Sequence, residues 1–152
     1  MLEQKNIKDA LDLILNVFME YDAPDYSEQG IYEFKKFITY ENVIGKFINK
    51  EMIFWGCFIN DELAGVIATR NSSHICSLFV KKEFQRLGIA KSLFYTIVDE
   101  CSINNINEIT VNSSPYAIKV YHHLGFIDKD SEQTIDGIIF TPMKYTIRNE
   151  EK

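Results

Sequence analysis

The stretch from residue 78 to residue 90 reads LFVKKEFQRLGIA and passes from an apolar strand through a polar loop into the start of a helix. Gly88 and Ala90 have little or no side chain, so a ligand can approach the backbone of the loop closely. The first turn of a helix leaves several backbone N–H groups without partners and carries a partial positive charge. These properties favour the binding of phosphate oxygens here, and the alternative is a plain turn in which Gly88 relieves crowding.

The segments on either side of this stretch alternate between helical and strand periodicity. Before it, apolar residues at three-to-four spacing predict helices over 6–20 and after the N-cap Ser27, and a weaker helical pattern covers 40–49. Strand patterns separated by turn residues predict an antiparallel meander. The remaining predicted elements are strands at 52–59, 63–70 and 74–80, a helix at 89–101, a strand at 108–112, a helix at 115–124 ended by Gly125, and strands at 126–129 and 137–148.

This order predicts an α/β fold, a mixed sheet with helices on its faces, written (β)ααβββαβαββ. The bracketed element is a short first strand at residues 1–3. The chain has 152 residues, of which 46% are hydrophobic and 25% charged, an ordinary globular composition. Neither a linker nor a repeat interrupts it, so we expect a single domain over residues 1–152.

Charge and apolar patterning exclude several classes of partner. Sixteen Lys and Arg residues against 22 Asp and Glu residues give a net charge of −6, which disfavours a nucleic-acid partner. No apolar stretch approaches the roughly 20 residues of a membrane span, and the charged N-terminus has no signal-peptide core. Cys57, Cys76 and Cys101 are an odd set without CxxC spacing, which predicts reduced thiols in a cytoplasmic protein.

A second informative stretch, NSSPYAIKVYHHLGF, covers residues 112–126. A strand ends there in a polar turn, and a short helix carries Tyr116 and Tyr121 before the Leu-Gly-Phe sequence at 124–126. Taken alone, this stretch is also compatible with a capped surface helix that has aromatic anchors. The two stretches together, in this order and with this separation, are much less likely to occur by chance than either one alone.

With both stretches in place, the sequence resembles the GNAT family, the Gcn5-related N-acetyltransferases. Residues 85–90, QRLGIA, match the family signature Q/R-x-x-G-x-G/A, which cradles the pyrophosphate of acetyl-CoA. Residues 121–126, YHHLGF, match the family segment Y-x-x-L-G-F. The resemblance covers about residues 5–147, although residues 1–50 match only in helical pattern. It implies the GNAT-type acyl-CoA N-acyltransferase fold.

The resemblance also implies a set of residues that bind the cosubstrate acetyl-CoA. The strand before the loop would lie beside the pantetheine arm, backbone amides of the loop would hold the phosphates, and the next strand and helix would complete the site. The implied residues are Leu78, Phe79 and Val80 for pantetheine; Gln85, Arg86, Leu87, Gly88, Ile89, Ala90 and Lys91 for the phosphates; Asn112 for pantetheine or the amine; Ala117 near the thiol; and Lys119 near the nucleotide.

Catalysis requires a proton donor for the departing thiolate, and the resemblance places Tyr121 in that role. A phenol with a free pKa of about 10 suits a general acid for a thiolate. A backbone N–H near Phe79 or Val80 would donate to the carbonyl oxygen, where negative charge develops.

The sequence indicates the base, which takes a proton from the attacking amine, less directly than it indicates the acid. His74 lies six residues before Val80 on one strand, so a period of two puts both side chains on the same face. A histidine there could act as the base near neutral pH, as a glutamate does in the histone-acetyltransferase branch. The alternatives are a structural histidine and an ordered water chain. His74, His122, His123 and the cysteines lack zinc-ligand spacing, so no metal is expected.

These observations predict an enzyme that transfers an acetyl group from acetyl-CoA to a primary amine of a small molecule or peptide. The alternative is a non-catalytic acyl-CoA-binding module or sensor with the same fold. A Rossmann domain is disfavoured because strands, not a βαβ unit, precede the glycine loop. A homodimer through residues 138–140 is possible in this family. Candidate acceptor residues are Asp22, Asp25, Tyr26, Glu28 and Tyr32 at the entrance, with Trp55, Arg70 and Glu132 as further wall positions.

Overall fold

The computed structural model of the chain describes residues 1–148. It confirms the predicted mixed α/β fold, with one helix more than the predicted order, a strand at Gln133–Ile135 that the order lacks, and no strand at residues 1–3. The elements are α1 (Ile7–Val17), α2 (Glu28–Phe37), α3 (Tyr40–Ile48), β1 (Met52–Ile59), β2 (Glu62–Arg70), β3 (His74–Val80), α4 (Ile89–Ile103), β4 (Glu108–Ser113), α5 (Ile118–Leu124), β5 (Ile127–Asp128), β6 (Gln133–Ile135) and β7 (Ile138–Thr146).

The seven strands form one mixed sheet. Its order is β1-β2-β3-β4-β7-β5, and β6 pairs with β7 beside this path. β3 and β4 are parallel, whereas the other pairs are antiparallel. The chain leaves β3, forms α4 and returns as β4, which lies beside β3 in the sheet. The loop before α4 therefore lies at the end of β3, next to β4.

Two apolar layers hold the sheet, one on each face. On one face, Phe94 and Ile97 of α4 pack with Ile109 of β4 and are all but inaccessible to water. On the other face, Ile14 of α1 packs with Phe54 of β1 and other buried side chains. Full burial of each such side chain contributes about 1.5–3 kcal/mol. β3 contributes side chains to both layers, and β4 contributes Ile109 and Val111 to the layer of α4, which fixes the place where the two strands meet.

The helical first third differs from the sequence expectation at its ends. The α-helical part of α1 stops at Val17, and a π-helical turn follows at Phe18–Asp22. Ala23–Asp25, with Pro24 inside it, forms a short 3-10 turn. The weak pattern at 40–49 is a genuine helix, α3, capped by the Thr39 side chain. Ser27 is the N-cap of α2, as predicted, and its hydroxyl oxygen accepts the Gly30 N–H at 3.1 Å.

Two further expectations, the strand at residues 1–3 and the start of the helix at residue 115, are wrong. Residues 1–3 form no strand; the Leu2 N–H donates a single hydrogen bond to the Phe54 carbonyl at 2.8 Å. α5 begins at Ile118 rather than at residue 115, because the Ser114 hydroxyl and carbonyl oxygens both accept the Ala117 N–H. That local bonding holds the intervening residues in a turn. Gly125 ends α5 with φ 106°, the left-handed C-cap predicted for it.

No helix between residues 1 and 148 has the length and apolar character needed to cross a bilayer. Cys57, Cys76 and Cys101 form no disulfide.

Candidate active site

β3 and β4 pair at only two positions and then diverge. The parallel pairing joins His74 to Thr110 and Ile75 to Val111, and no pair follows within the described residues. A cavity of about 740 Å³ lies where the strands separate, lined by β3, β4, the loop before α4, α5 and the end of α1. Backbone groups on this edge of β3 thus face the cavity instead of a neighbouring strand, and they are available to hydrogen-bond an extended ligand.

The cavity collects most of the site residues predicted from the sequence. Leu87 is the exception among the implied cofactor residues: its side chain is 65% exposed and does not line the cavity. His74 does not line it either. The predicted residues that do line it are Leu78, Phe79, Val80, Gln85, Arg86, Gly88, Ile89, Ala90, Lys91, Asn112, Ala117, Lys119 and Tyr121.

One end of the cavity is built for an anion. Gly88 caps α4 with φ 80°, a left-handed conformation that favours glycine, and no side chain caps the helix there. α4 has 15 residues and no acidic residue in its first turn, so its unpaired N–H groups and partial charge are not neutralised locally. Arg86, Lys91 and Lys119 line the same cavity and add positive charge.

Two other lysines of the loop are occupied elsewhere. Lys81 Nζ pairs with Glu62 at 3.0 Å, and Lys82 Nζ pairs with Glu20 at 3.2 Å. Neither lysine lines the cavity. The second pair ties the loop before α4 to the π-helical turn after α1, so the two sides of the cavity are linked at the surface.

Tyr121 lies on α5 with its ring buried, only 5% exposed, and its side chain lines the cavity. The ring packs edge-on against Phe126, with centroids 5.2 Å apart. Burial, with a contribution from the charge of Asp22, raises the pKa of Tyr121 above its ordinary value. No residue in the described part of the chain accepts a hydrogen bond from its hydroxyl, which therefore stays protonated and free to donate to a ligand.

His74 is not on the face of Val80, so that expectation is wrong. Ala68 pairs with Ser77 and Thr69 with Ile75, which leaves Cys76 as an extra residue in β3. This bulge reverses the alternation. Ile75 and Val80 both join the apolar layer of α4, so His74, next to Ile75, points to the opposite face.

The contacts of His74 are those of a structural side chain. Its Nδ1 lies 2.8 Å from the Thr110 hydroxyl across the β3–β4 pair. Burial, together with the positive charges of Arg70 and Lys129, lowers its pKa to about 4. The imidazole is therefore neutral at pH 7, but it does not line the cavity and so cannot meet an amine bound there.

We expect this histidine to make the fold sensitive to acid. Its pKa is about 4 in the folded chain against 6.5 as the ordinary value, so the unfolded chain binds more protons between these pH values. The free energy of unfolding should then fall as pH falls from 6.5 to 4. His74→Asn, whose amide can replace Nδ1 toward Thr110, should reduce this fall in denaturant titrations at stepped pH.

Asp22 changes the free energy of unfolding with pH in the direction opposite to His74. The test must therefore compare wild type with a variant rather than use wild type alone. Its pKa is raised from 3.8 to about 6, and it favours the folded chain as pH falls through that window. The difference between wild type and His74→Asn removes this contribution. His123→Asn is the matched control, because it makes the same substitution at an exposed position. An identical acid response in wild type and His74→Asn would contradict the prediction.

The structure adds a buried carboxylate that the sequence identified only as one of several entrance candidates. Asp22 is 6% exposed and lines the cavity, as does Tyr26. Burial raises the pKa of Asp22 to about 6; a side-chain hydrogen bond with Ser114 works against this, and the charge of Asp25 adds to it. Only the three-dimensional packing of the turn after α1 against Ser114 reveals its burial.

The other predicted acceptor positions lie outside the cavity. Trp55 is in the apolar layer of α4, and Arg70 and Glu132 are exposed. Those at the entrance, Asp25, Glu28 and Tyr32, are also exposed and do not line it. Besides Cys76, the residues that line it without having been predicted as site residues are Val17, Phe18, Phe34, Ile75, Ser77, Phe84, Tyr95, Val111, Ser114, Tyr116, Val120, His123 and Leu124.

Cys76 also lines the cavity, from the bulge in β3. Burial raises the pKa of its thiol to about 11, so it is protonated at neutral pH and is a poor nucleophile. Between residues 1 and 148 no group of three or more His, Cys, Asp or Glu side chains is arranged to hold a metal ion.

Known proteins were compared with this chain by sequence and by fold. The family model of the acetyltransferase (GNAT) domain matches residues 22–147. No curated protein sequence is similar enough to the chain to count as a match.

Solved structures share the fold at low sequence identity. A GCN5-related N-acetyltransferase from Rhodopseudomonas palustris superposes with a TM-score of 0.82 at 15% identity, over 96% of this chain and 92% of its own. PaiA N-acetyltransferase from Thermoplasma acidophilum, in complex with coenzyme A, gives 0.80 at 18% identity over 95% of both chains. The ribosomal-protein-S18-alanine N-acetyltransferase from Escherichia coli gives 0.67 at 16% identity, over 96% and 90%. With a family match that spans most of its length, this chain belongs to the GNAT family of acetyltransferases.

Proposed function

We propose that the protein transfers an acetyl group from acetyl-CoA to a primary amine while both substrates are bound. The observation that carries the proposal is the single cavity between the diverging strands β3 and β4. It joins the uncapped N-terminus of α4 at one end to the buried hydroxyl of Tyr121. Such a cavity can hold a phosphate-bearing thioester with its reactive end beside a proton donor.

Acetyl-CoA would bind along the residues that the sequence signature indicates. The backbone of Leu78 to Val80 would hydrogen-bond the pantetheine arm, since this edge of β3 has no pairing with β4. The first turn of α4 would hold the phosphates, with Arg86, Lys91 and Lys119 around them. The coenzyme A in the Thermoplasma PaiA complex supports this assignment by analogy of fold.

The reaction forms a C–N bond and breaks the C–S bond of the thioester. The amine nitrogen attacks the carbonyl carbon and loses a proton, and the sulfur leaves as a thiolate that gains one. Tyr121, as the general acid, would donate a hydrogen bond from its hydroxyl to the leaving sulfur, and the proton that the amine loses would end on that sulfur. A backbone N–H near Phe79 or Val80 would donate to the carbonyl oxygen. A direct attack fits the protonated state of Cys76, since a thiol with a raised pKa does not favour an acyl-cysteine intermediate.

The alternative is a non-catalytic acyl-CoA-binding module. It would use the same phosphate site, but it would not require a buried phenol with an unpaired hydroxyl in the cavity. Tyr121 therefore favours the enzyme.

A calorimetric titration tests the cosubstrate first. We expect acetyl-CoA to bind with a micromolar Kd and adenosine diphosphate, the control that lacks the pantetheine arm, to bind at least tenfold more weakly. Release of free thiol from acetyl-CoA in the presence of amines then separates the two proposals. Binding without thiol release from any amine would favour the module, whereas no binding of acetyl-CoA would contradict both.

A further inference from the structure

Part of the cavity remains after the acetyl-CoA residues are assigned. This part, which we call the acceptor end, lies between the end of α1 and the gap between the two strands. Its side chains are mostly apolar or aromatic, and one is a carboxylate. The residues of the acceptor end are Val17, Phe18, Asp22, Tyr26, Phe34, Ser114 and Tyr116.

Asp22 is the only acidic side chain that lines the cavity in the described part of the chain. It is 6% exposed, and no lysine, arginine or histidine of residues 1–148 forms an ion pair with it. A buried carboxylate without a cation is unfavourable, which agrees with its pKa of about 6. An incoming cation would relieve this cost, so the acceptor end is electrostatically prepared for one positive charge.

The π-helical turn explains how Asp22 reaches this place. Phe18 and Asp22, at the two ends of the turn, are buried, while Met19 and Glu20 between them are exposed. Glu20 pairs with Lys82 at the surface and so does not add a second carboxylate. Single π-helical turns are frequent at functional sites.

Aromatic rings line the same end of the cavity as the carboxylate. Phe18 stacks on Phe34 with centroids 3.7 Å apart, and the edge of Tyr26 meets Phe18 at 5.1 Å. On the other side, Tyr21 lies against Tyr116 at 5.1 Å. Aromatic faces bury apolar groups and attract a cation placed over them. No second carboxylate lines the cavity in the described part of the chain, so a second or third ammonium group would have no anionic partner there.

We infer that the acceptor end binds an amine with one ammonium group on an apolar or aromatic body, and that Asp22 holds this ammonium and takes its proton. This inference rests on the proposed function and names its acceptor class. The proton passes from the ammonium nitrogen to a carboxylate oxygen of Asp22, which leaves a nitrogen lone pair to attack the thioester carbonyl. Amines with several charges, such as polyamines and aminoglycosides, would bring further ammonium groups to the acceptor end, where no second carboxylate of the described residues pairs with them.

The pH dependence of kcat/KM should report this carboxylate. The other titratable groups that face it are Asp25, Tyr26, Tyr116 and Tyr121, and the phenols have raised pKa values and stay neutral. We therefore expect kcat/KM to rise with pH through about 6, as Asp22 ionises, and then to level.

Binding and turnover of two probe amines test the inference separately. The probes are 2-phenylethylamine, with one ammonium on an aromatic body, and spermidine, with several. By calorimetry in the presence of coenzyme A, 2-phenylethylamine should bind at least tenfold more tightly than spermidine. In the thiol-release assay, its kcat/KM should be higher by a similar factor. Tighter binding and faster turnover of spermidine would overturn the inference and leave the proposed function intact.

Asp22→Asn tests the carboxylate. The variant should bind acetyl-CoA within threefold of wild type, bind 2-phenylethylamine at least tenfold more weakly, and lose at least 100-fold in kcat/KM together with the acidic limb near pH 6. Its Tm should not fall, because the amide has nearly the same shape as the carboxylate and carries no charge that must be buried. Asp12→Asn, an exposed position on α1, is the matched control and should behave as wild type.

The remaining outcomes are decisive as well. Amine binding that is unchanged in Asp22→Asn, or a simultaneous loss of acetyl-CoA binding, would overturn the role of Asp22. Tight binding of 2-phenylethylamine that depends on Asp22, without any thiol release, would support the acceptor end and contradict the proposed function.

Discussion

Gly88→Glu is expected to weaken acetyl-CoA binding at least 100-fold, or about 2.7 kcal/mol. The new carboxylate would lie at the N-cap of α4, where the proposed phosphates meet the backbone N–H groups of its first turn. Two like charges 4 Å apart repel by about 4 kcal/mol at an effective dielectric constant of 20. The carboxylate would also compete for the same N–H groups, since an anion is favoured at a helix N-terminus.

The variant should still fold, which makes the loss of binding interpretable. No atom lies within 4 Å of a Cβ placed on Gly88, so the side chain meets open space. The φ of 80° is strained for any residue with a side chain, at a cost of about 1–2 kcal/mol in stability. A calorimetric titration with acetyl-CoA, run on protein whose Tm has been measured, separates this cost from the loss of affinity.

Gly45→Glu is the matched control. Gly45 lies exposed on α3, a Cβ there also meets nothing within 4 Å, and the position does not line the cavity. It adds the same charge and side chain far from the proposed phosphate site, so acetyl-CoA affinity should remain within threefold of wild type. Retained affinity in Gly88→Glu would mean that the phosphates bind elsewhere.

The candidate phosphate site could be located from the sequence because its parts are local in sequence. A strand end, a glycine with positive φ and a helix N-terminus follow one another within residues 78–91, and each has its own sequence signal. The signature predicts that backbone amides of this loop meet the ligand, and residues of the loop line the cavity. It could not tell which side chains face the ligand, and Leu87 points to solvent.

Features that depend on distant pairing were not predictable in the same way. The face of His74 is set by the extra residue Cys76, and this bulge exists only in the register between β2 and β3. A strict period of two along β3 therefore placed His74 wrongly. Periodicity describes a strand in isolation, whereas a bulge is a property of two strands.

Asp22 illustrates the same limit at the acceptor end. Its sequence context, YDAPD, indicates a solvated turn, yet the turn after α1 packs against Ser114 and Phe34 lies nearby in the cavity lining. Asp22 is thus buried by residues more than ten positions away, while Pro24 and Asp25 of the same segment stay exposed. The sequence did show aromatic residues at positions 18, 26 and 34. In the structure the rings of Tyr26 and Phe34 both contact the ring of Phe18.

Tyr121→Phe should lower kcat at least tenfold while acetyl-CoA affinity stays within threefold of wild type. The ring is retained, and with it the edge-on contact to Phe126 and the burial of the α5 face. Only the hydroxyl is removed, and no described residue depends on it as a hydrogen-bond donor. The loss should therefore fall on the step in which the sulfur leaves, where general acids contribute about 100-fold to 10,000-fold.

The raised pKa of Tyr121 determines what kind of donor it is. Ordinary thiols have a pKa of about 8.5, below that of a phenol, so the buried hydroxyl stabilises the developing thiolate by a hydrogen bond rather than by an easy full transfer. A thiolate is also a good leaving group, which is why the expected loss begins at tenfold. Tyr40→Phe, which removes a hydroxyl outside the cavity, should leave kcat unchanged. Equal turnover of Tyr121→Phe and wild type would exclude this hydroxyl as the acid, whereas a loss confined to KM would place it in binding.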